Sequence, residues 1–205
     1  MKHLKRVFKT MAMIFTVLLL IGFLIFEYFR LPESYPNAPF QGLEIIHKGG
    51  SPENTLNGIK NSYRQGAKAI EVDIQITQDE ELVVIHDETL ERTTNGFGRV
   101  DNHTLAELKK LKAGKTEEIP TLKEVIRLVV ALEMKLEIEI KDIAKKKLVA
   151  KKIDQLFYQY NLFNQAFISS FDPRMTYLIR SVNPRIVVAH SVMDNLTGDS
   201  ITDYF

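Results

Sequence analysis

Cysteine and tryptophan are both absent from the 205 residues of this chain. Without cysteine, a disulfide framework, a thiolate metal site and a cysteine nucleophile are all excluded. Ten glycines and seven prolines are too few for a collagen-like or proline-rich protein. The hydrophobic content of 45% and charged content of 26% are those of a globular protein rather than a disordered one. The length allows one or two domains, at ~100–200 residues per domain.

A broad excess of basic charge, which nucleic-acid binding would require, is also missing. The formal net charge of the chain is only +1. This value hides an uneven distribution, because residues 1–30 carry five Lys or Arg residues against the single acidic Glu27, a net +4, which leaves −3 for the rest. We therefore expect no nucleic-acid partner.

The longest hydrophobic run, Met11–Phe26, follows a basic flank at residues 1–10 and continues to Phe29. A helix of this length spans roughly 24–28 Å, which is enough to cross a bilayer core. Basic residues precede the run and only Arg30 follows it closely, which places the N-terminus in the cytoplasm. The pattern predicts a single-pass anchor in the cell membrane at residues 11–29, with the following domain outside the cytoplasm.

A cleaved signal peptide and a buried core helix are the alternative interpretations of this segment. A signal peptide also combines a charged start with an apolar stretch, but no small-x-small cleavage site follows this run. Residues 30–41 contain three prolines and predict a linker to a domain at residues 42–205.

Predicted strands and helices alternate along this domain. Period-two alternation predicts strands at Ala69–Thr77 and Lys135–Lys141, and short apolar runs predict four more. These four are Leu43–His47, Leu82–His86, Ala166–Phe171 and Ile186–His190. The predicted helices are Thr55–Gln65, Thr104–Leu111, Leu122–Leu132, Ala144–Tyr160 and Thr176–Ser181. The alternation indicates an α/β fold with a parallel sheet, either open or closed into a barrel.

Ionisable side chains occupy the carboxyl ends of these strands, where parallel α/β folds place their chemistry. His47, His86 and Lys141 all lie at predicted strand ends. Glu71 and Asp73 share one side of a strand whose other side is formed by Ile and Val residues. Two ionised carboxylates that are buried together repel each other and lose hydration, so they require a cation or a proton.

Glu139 repeats this arrangement on another strand, with Glu137 before it. Three carboxylates that converge at strand ends are typical ligands of hard cations such as Mg²⁺ or Ca²⁺. The alternative is that the strands are half exposed and the acids face water, as most charged residues do. Because these acids occur together with two histidines at strand ends, the cation site is favoured over acids that face water.

Seven ordered sequence blocks between about Leu43 and Arg185 resemble the glycerophosphodiester phosphodiesterase family. The blocks are His47–Thr55 (HKGGSPENT), Gly66–Asp79 (GAKAIEVDIQITQD), Val83–Asp87 (VVIHD), Glu91–Gly96 (ERTTNG), Ile119–Val125 (IPTLKEV), Ile138–Lys141 (IEIK) and Ser169–Asp172 (SSFD). Their order and spacing match the family pattern, and agreement across seven blocks makes the resemblance specific.

The resemblance implies a TIM barrel that hydrolyses glycerophosphodiesters to glycerol 3-phosphate and an alcohol, using a divalent cation, Mg²⁺ or Ca²⁺. It further implies two acid/base histidines, three metal ligands and two substrate-binding lysines. In this chain the implied acid/base histidines are His47 and His86. The implied metal ligands are Glu71, Asp73 and Glu139, and the implied substrate-binding lysines are Lys48 and Lys141.

Two features depart from the family pattern. Lys48 replaces an Arg, which keeps the charge but loses the bidentate phosphate contact. The family barrel has two further strands, one of them bearing a Trp, whereas the six strands predicted here are followed only by a short tail to Phe205. We therefore expect an incomplete barrel whose first and sixth strands are open at their edges. A second copy of the chain is a candidate to cover the gap. The alternative to an active enzyme is a truncated, non-catalytic family member that acts as a binding module or is an inactive remnant.

Overall fold

The structure is a computed structural model that describes residues 2–29, 40, 42–141, 143–193 and 200–204. The chain divides into two compact units, residues 1–33 and residues 34–205. The second unit contains all the predicted site residues.

The first unit contains one helix, α1 (Lys2–Phe29). The side chains of residues 8–24 are all exposed in this helix. Within the part of the chain that the structure describes, no helix is both long and apolar enough to cross a bilayer. The membrane anchor at residues 11–29 therefore stays a prediction.

The second unit alternates strands and helices in the predicted order. Its helices are α2 (Leu56–Arg64), α3 (Leu105–Leu108), α4 (Leu122–Ala131), α5 (Lys146–Tyr160) and α6 (Pro173–Val182). Its strands are β1 (Ile45–Ile46), β2 (Ala69–Ile76), β3 (Leu82–Val84), β4 (Lys135–Ile140), β5 (Ala166–Ser170), β6 (Val188–Met193) and β7 (Ser200–Tyr204). Short 3-10 turns occupy His47–Gly49, Val100–Asn102 and Leu162–Asn164.

The described strands form one sheet in the order β1-β2-β4-β5-β6-β7, with β3 paired to β2 outside this path. The pairs β1–β2, β2–β4, β4–β5 and β5–β6 are all parallel. The register places Asp73 level with Glu139 and Glu139 level with Ser169, so these side chains share one face of the sheet. The predicted α/β class with a parallel sheet is confirmed.

One of the six predicted barrel strands, Leu82–His86, is not part of the parallel sheet. The observed strand β3 runs antiparallel to β2, with Val84 opposite Ile74. Only residues 77–81 separate the two strands. A parallel crossover needs about a dozen residues or more, so a connection this short forms a hairpin. The prediction of six barrel strands is wrong, because five of the described strands are mutually parallel.

The far edge of the sheet also differs from the prediction. Strand β6 pairs antiparallel with β7, from Ala189 opposite Tyr204 to Met193 opposite Ser200. The expected open edge at the sixth predicted strand is therefore wrong, because the tail supplies a pairing partner for it. The outer edge of β1 has no partner among the described strands, in agreement with the prediction for the first strand.

The two faces of β2 have different surroundings, although all eight of its residues are buried. Ile70 and Val72 pack with Val125 of α4 in the largest hydrophobic core. Glu71 and Asp73 alternate with them and face the opposite side, yet they are only 2% and 0% exposed. The interpretation that these acids face water is therefore wrong.

The face of the sheet that bears Glu71 and Asp73 also contacts a smaller apolar core. Phe167 of β5 and Ala189 of β6 pack there with Phe40, whose ring centroid lies 4.8 Å from that of Phe167. Phe40 falls within the predicted linker at residues 30–41, and the rest of that linker lies outside the described residues. The register places Glu137 level with Phe167, so acids and aromatic rings share this face.

Residues 85–119, here called the excursion, leave the sheet after β3 and return before α4. A separate hydrophobic core contains Val83, Ile85, Leu90, Val100, Leu108, Ala113 and Ile119. The two ends meet where the Val84 N–H donates to the Pro120 carbonyl oxygen at 2.8 Å. His86 lies in the excursion, so its position depends on this second core.

Candidate active site

The predicted site residues converge at the carboxyl ends of β1, β2 and β4. His47 and Lys48 lie in the turn after β1, Glu71 and Asp73 on β2, Glu139 on β4, Lys141 directly after β4, and His86 two residues after β3. Parallel strands bring their carboxyl ends to one edge of the sheet. The excursion is fastened to the same edge, because the Ile85 N–H donates to the Asp73 carbonyl oxygen at 3.0 Å.

His47, Glu71 and Glu139 form a cluster that could hold a metal ion, since one ligand atom from each lies within 4.8 Å of the others. His47 Nε2 is 3.7 Å from Glu71 Oε2. Glu71 Oε1 is buried without a hydrogen-bond partner. A buried carboxylate oxygen of this kind fits a hard cation. The structure thus brings Glu71 and Glu139 together as predicted, with His47 rather than Asp73 as the third member.

The surroundings of Glu71 disfavour its ionised form. Burial raises the pKa of Glu71 well above its usual range, and the neighbouring Asp73 carboxylate adds to this effect. The Lys48 N–H donates to Glu71 Oε2 at 2.7 Å and opposes the shift without overcoming it. Such a group is satisfied either by a proton or by a bound cation.

We expect Glu71→Gln to stabilise the chelator-treated protein relative to the wild type, and by more as the pH rises. The folded-state pKa of Glu71 is raised above its ordinary value of 4.5. The protonated carboxyl group therefore contributes fully to folding stability below pH 4.5, and this contribution is lost as the pH rises towards the folded-state pKa. Glutamine keeps an oxygen that can accept from the Lys48 N–H but carries no charge. Urea unfolding with a chelator at about pH 5 and about pH 8 measures this difference. An equal difference at both pH values would contradict the prediction.

Lys141 neutralises two of the site carboxylates. Its Nζ lies 2.8 Å from Asp73 Oδ1 and also donates to Glu139 Oε1. Burial disfavours the ionised form of Asp73, but Lys141 and the Asn54 amide outweigh burial and lower the pKa of Asp73. Burial likewise disfavours the charged form of Lys141, yet Asp73 and Glu139 raise its pKa. A contact between Lys141 and substrate stays a prediction.

Asn54 is a site residue that the sequence analysis does not single out. Its Nδ2 donates to Asp73 Oδ2 at 2.8 Å, and the Asp73 N–H donates to Asn54 Oδ1 at 3.2 Å. Asn54 is only 4% exposed and has a left-handed φ of 55°, which Asn adopts more readily than most residues. Asn54 lies in the family-like block His47–Thr55 and Asn57, which is exposed on α2, lies outside it, but no periodicity in the sequence identifies Asp73 as the partner of Asn54.

We expect Asn54→Ala to lower the free energy of unfolding by about 2–5 kcal/mol. A buried group left without its partner costs ~1–3 kcal/mol, and the left-handed backbone costs a further ~1–2 kcal/mol for a residue other than Gly, Asn or Asp. Urea unfolding measures the change. Asn57→Ala is the matched control, because Asn57 bonds Glu117 at the surface and its loss should cost within ~0.5 kcal/mol. Equal losses in the two variants would contradict the role of Asn54.

His86 is held on both its side chain and its backbone. Its Nδ1 lies 2.6 Å from Asp87 Oδ1, and its carbonyl oxygen accepts from Gln75 Nε2 at 3.3 Å. The side chain remains 34% exposed, so a ligand in the site can reach it. Asp87 lies in the family-like block Val83–Asp87, but the sequence predicts no role for it.

A cleft of about 380 Å³ opens beside Lys141. It is lined by Ile140, Lys141, Ser170, Phe171, Asp172, Pro173 and Arg174. Its volume lies in the range of small-molecule sites. The Phe171 ring is 39% exposed, and Lys141 Nζ lies 5.9 Å from its centroid, so the cleft combines an aromatic wall with positive charge.

A model of the glycerophosphoryl diester phosphodiesterase family matches residues 46–199. The chain belongs to this family. The match includes both candidate histidines, His47 and His86, and extends through β6. The resemblance stated from the seven sequence blocks is therefore confirmed.

Named relatives agree with this assignment. A glycerophosphodiester phosphodiesterase of Caldanaerobacter subterraneus is 40% identical over 157 residues, which cover 71% of this chain and 65% of that protein. Human glycerophosphodiester phosphodiesterase 1 is 34% identical over 158 residues, which cover 71% of this chain and 47% of that protein. The chain thus spans about half to two thirds of the length of these relatives.

Solved structures of family members share the fold. An Oleispira antarctica phosphodiesterase, solved in complex with the product sn-glycerol-3-phosphate, is 28% identical with a TM-score of 0.68, covering 77% of this chain and 70% of that chain. A glycerophosphodiester phosphodiesterase from Agrobacterium tumefaciens is 29% identical with a TM-score of 0.64, covering 71% of this chain and 65% of that chain. The predicted TIM-barrel-like α/β fold is confirmed at this level.

Proposed function

We propose that this protein hydrolyses glycerophosphodiesters to glycerol 3-phosphate and an alcohol. The observation that carries the proposal is the convergence of two histidines, three buried carboxylates and a lysine at one edge of the sheet. Family membership supports the same chemistry. The Oleispira relative adds support, because its structure contains sn-glycerol-3-phosphate as product.

His47 and His86 are the proposed acid/base pair. Imidazole has a pKa of ~6.5, so it can accept or donate a proton near neutral pH. The His47 side chain is 60% exposed and that of His86 is 34% exposed, which leaves both open to a ligand. One histidine removes a proton from the attacking water as the water oxygen bonds to phosphorus. The other protonates the alcohol oxygen as its bond to phosphorus breaks.

Lys48 and Lys141 are the proposed substrate-binding cations. A phosphodiester anion repels nucleophiles, so positive groups must offset the negative charge that develops on its oxygens. Lys141 is already paired with Asp73 and Glu139, whereas Lys48 Nζ lies at the longer distance of 4.0 Å from Glu53 Oε1. Lys48 is therefore the less committed of the two, and we assign it the more direct phosphate contact.

A divalent cation, Mg²⁺ or Ca²⁺, is proposed to bind Glu71, Asp73 and Glu139. The carboxylate donors and the unpaired buried oxygen of Glu71 fit such an ion. When bound, it would neutralise phosphate charge as a Lewis acid. His47 belongs to the observed metal-capable cluster, and one nitrogen cannot be both a metal ligand and a proton carrier. Metal binding by a His47→Ala variant distinguishes the two ligand sets.

The test of the proposed activity is release of glycerol 3-phosphate by the full 205-residue chain. The substrates are glycerophosphodiesters with cationic, neutral and anionic alcohols, each assayed with added Mg²⁺ and with added Ca²⁺. We expect release from at least one substrate, and the pattern among the three identifies the alcohol that the site accepts. No release from any of them would contradict the proposed activity.

A non-catalytic binding module is the second candidate. The outer edge of β1, which is unpaired within the described part of the chain, favours it, because an open edge can pair with another strand. That strand could come from a second copy of the chain. This candidate predicts self-association in analytical ultracentrifugation and glycerol 3-phosphate binding in calorimetry, both without turnover.

We also propose that residues 11–29 anchor the protein in the cell membrane, with the domain at residues 42–205 outside the cytoplasm. The basic flank at residues 1–10 and the apolar run that follows support this orientation. Protease added to intact cells with opened outer barriers should digest the domain. Protection equal to that of a cytosolic control would contradict the orientation.

A further inference from the structure

Arg92 joins the two loops that carry the candidate histidines. Its Nη1 and Nη2 donate to Glu53 Oε2 and Oε1 at 2.9 and 2.7 Å. Its Nε and Nη2 donate to Asp87 Oδ2 and Oδ1 at 2.5 and 2.9 Å. The guanidinium thus binds two carboxylates in bidentate geometry, which fixes their orientation as well as their charge.

The two carboxylates belong to different parts of the fold. Glu53 lies in the loop between the His47 turn and α2. Asp87 lies in the excursion next to His86, and its Oδ1 is 2.6 Å from His86 Nδ1. A side chain that binds both carboxylates therefore fixes the position of one histidine-bearing loop relative to the other.

We propose that Arg92 is a positioning residue that holds His86 and the His47 loop in the arrangement that turnover requires. The catalytic meaning of this inference rests on the proposed phosphodiesterase function. The contacts themselves are independent of that function, so they can be tested separately from it.

Arg92 acts on His86 through Asp87. An ionised carboxylate only accepts hydrogen bonds, so neutral His86 carries its proton on Nδ1 and presents the Nε2 lone pair. Arg92 lowers the pKa of Asp87 to about 2, chiefly through its hydrogen bonds, so this carboxylate stays charged at neutral pH. Loss of the guanidinium would leave Asp87 free to turn away from the ring.

The expected effect is on catalysis rather than on folding. The side chains of Arg92, Glu53 and Asp87 are 47%, 29% and 24% exposed, and partly exposed ion pairs contribute little to stability. A displacement of a catalytic group by ~1 Å, in contrast, can reduce turnover ~10²-fold.

The test compares Arg92→Lys with the wild type and with Arg99→Lys, all in the full chain. Lysine keeps the charge but cannot form the four hydrogen bonds. Arg99 is the matched control, since it is 49% exposed and pairs with Glu88 and Asp101, whose carboxylates contact neither candidate histidine. We expect kcat to fall ~10–100-fold in Arg92→Lys with KM within ~3-fold, and kcat to stay within ~2-fold in Arg99→Lys. The melting temperatures of the two variants should be similar.

The second readout, ¹⁵N NMR of the His86 ring, does not depend on turnover. We expect Nδ1–H in the wild type and in Arg99→Lys, and a mixture of both tautomers in Arg92→Lys. If the wild type shows no turnover but the tautomers mix in Arg92→Lys, the positioning role stands and the proposed function fails. The positioning role is overturned if Arg92→Lys matches the wild type in tautomer and shows no loss of kcat, or if Arg99→Lys shows the same changes.

Discussion

Replacing either His47 or His86 by alanine is expected to reduce the release of glycerol 3-phosphate by about 10²–10⁴-fold, the usual contribution of a general acid or base. Neither change should unfold the protein. His47 is 60% exposed, and the loss of the His86 ring leaves Asp87 paired with Arg92. Turnover and the melting temperature of each variant are measured together, so that a catalytic loss can be separated from a structural one.

His103→Ala is the control for both variants. His103 lies in the turn before α3, where its Nδ1 is 2.8 Å from the Arg99 carbonyl oxygen, and it takes no part in the metal-capable cluster. Its replacement should leave turnover within ~2-fold of the wild type, as is usual for substitutions away from a site. Near-wild-type turnover in His47→Ala or His86→Ala would remove that histidine from the mechanism.

Exhaustive chelation is expected to stop turnover, and added Mg²⁺ or Ca²⁺ is expected to restore it. The physical reason is the buried Glu71 carboxyl group, whose ionisation is opposed by burial and by the charges of Asp73 and Glu139. An ion that binds only the folded state stabilises it by ~2.7 kcal/mol at a concentration of ~100 Kd. The cation should therefore also raise the melting temperature, which thermal unfolding measures without reference to activity.

Three variants locate the ion. Glu71→Gln should lose both turnover and the rise in melting temperature, whereas Glu118→Gln, at an exposed position, should keep both. His47→Ala should lose turnover but keep the thermal response if Glu71, Asp73 and Glu139 hold the ion. Loss of both properties in His47→Ala would identify His47 as a ligand. Full turnover after exhaustive chelation would remove the metal from the mechanism.

Strands could be predicted from the sequence wherever apolar and polar residues clearly alternate. The predicted Ala69–Thr77 and Lys135–Lys141 each extend one residue beyond the observed β2 and β4. The antiparallel direction of β3 could be predicted only from the five-residue connection at residues 77–81, which is too short for a crossover.

Helix α6 begins three residues before the predicted Thr176. The sequence contains the reason, because Asp172 caps the helix by accepting from the Arg174 N–H and Pro173 follows at its first position.

The acids of the site were predictable, but their partners were not. Alternation along β2 places Glu71 and Asp73 on one face, and the parallel pairing places Glu139 beside them. Asn54 and Arg92 reach their partners from loops that have no periodicity, across 19 residues to Asp73 and 39 residues to Glu53. Both residues lie in sequence blocks that match the family, but the partners that they bind depend on how the loops fold over the sheet, and no local pattern identifies those partners.

The excursion begins and ends at neighbouring points of the sheet, where Val84 bonds Pro120. Its apolar core, which includes Leu90 and Leu108, is separate from the core between the sheet and its helices. A segment with adjoining ends and its own core can be exchanged for one of another length while the sheet keeps its register. Since His86 lies in the excursion and Glu71 lies on β2, these two candidate site residues belong to segments of the fold that can change in length independently of each other.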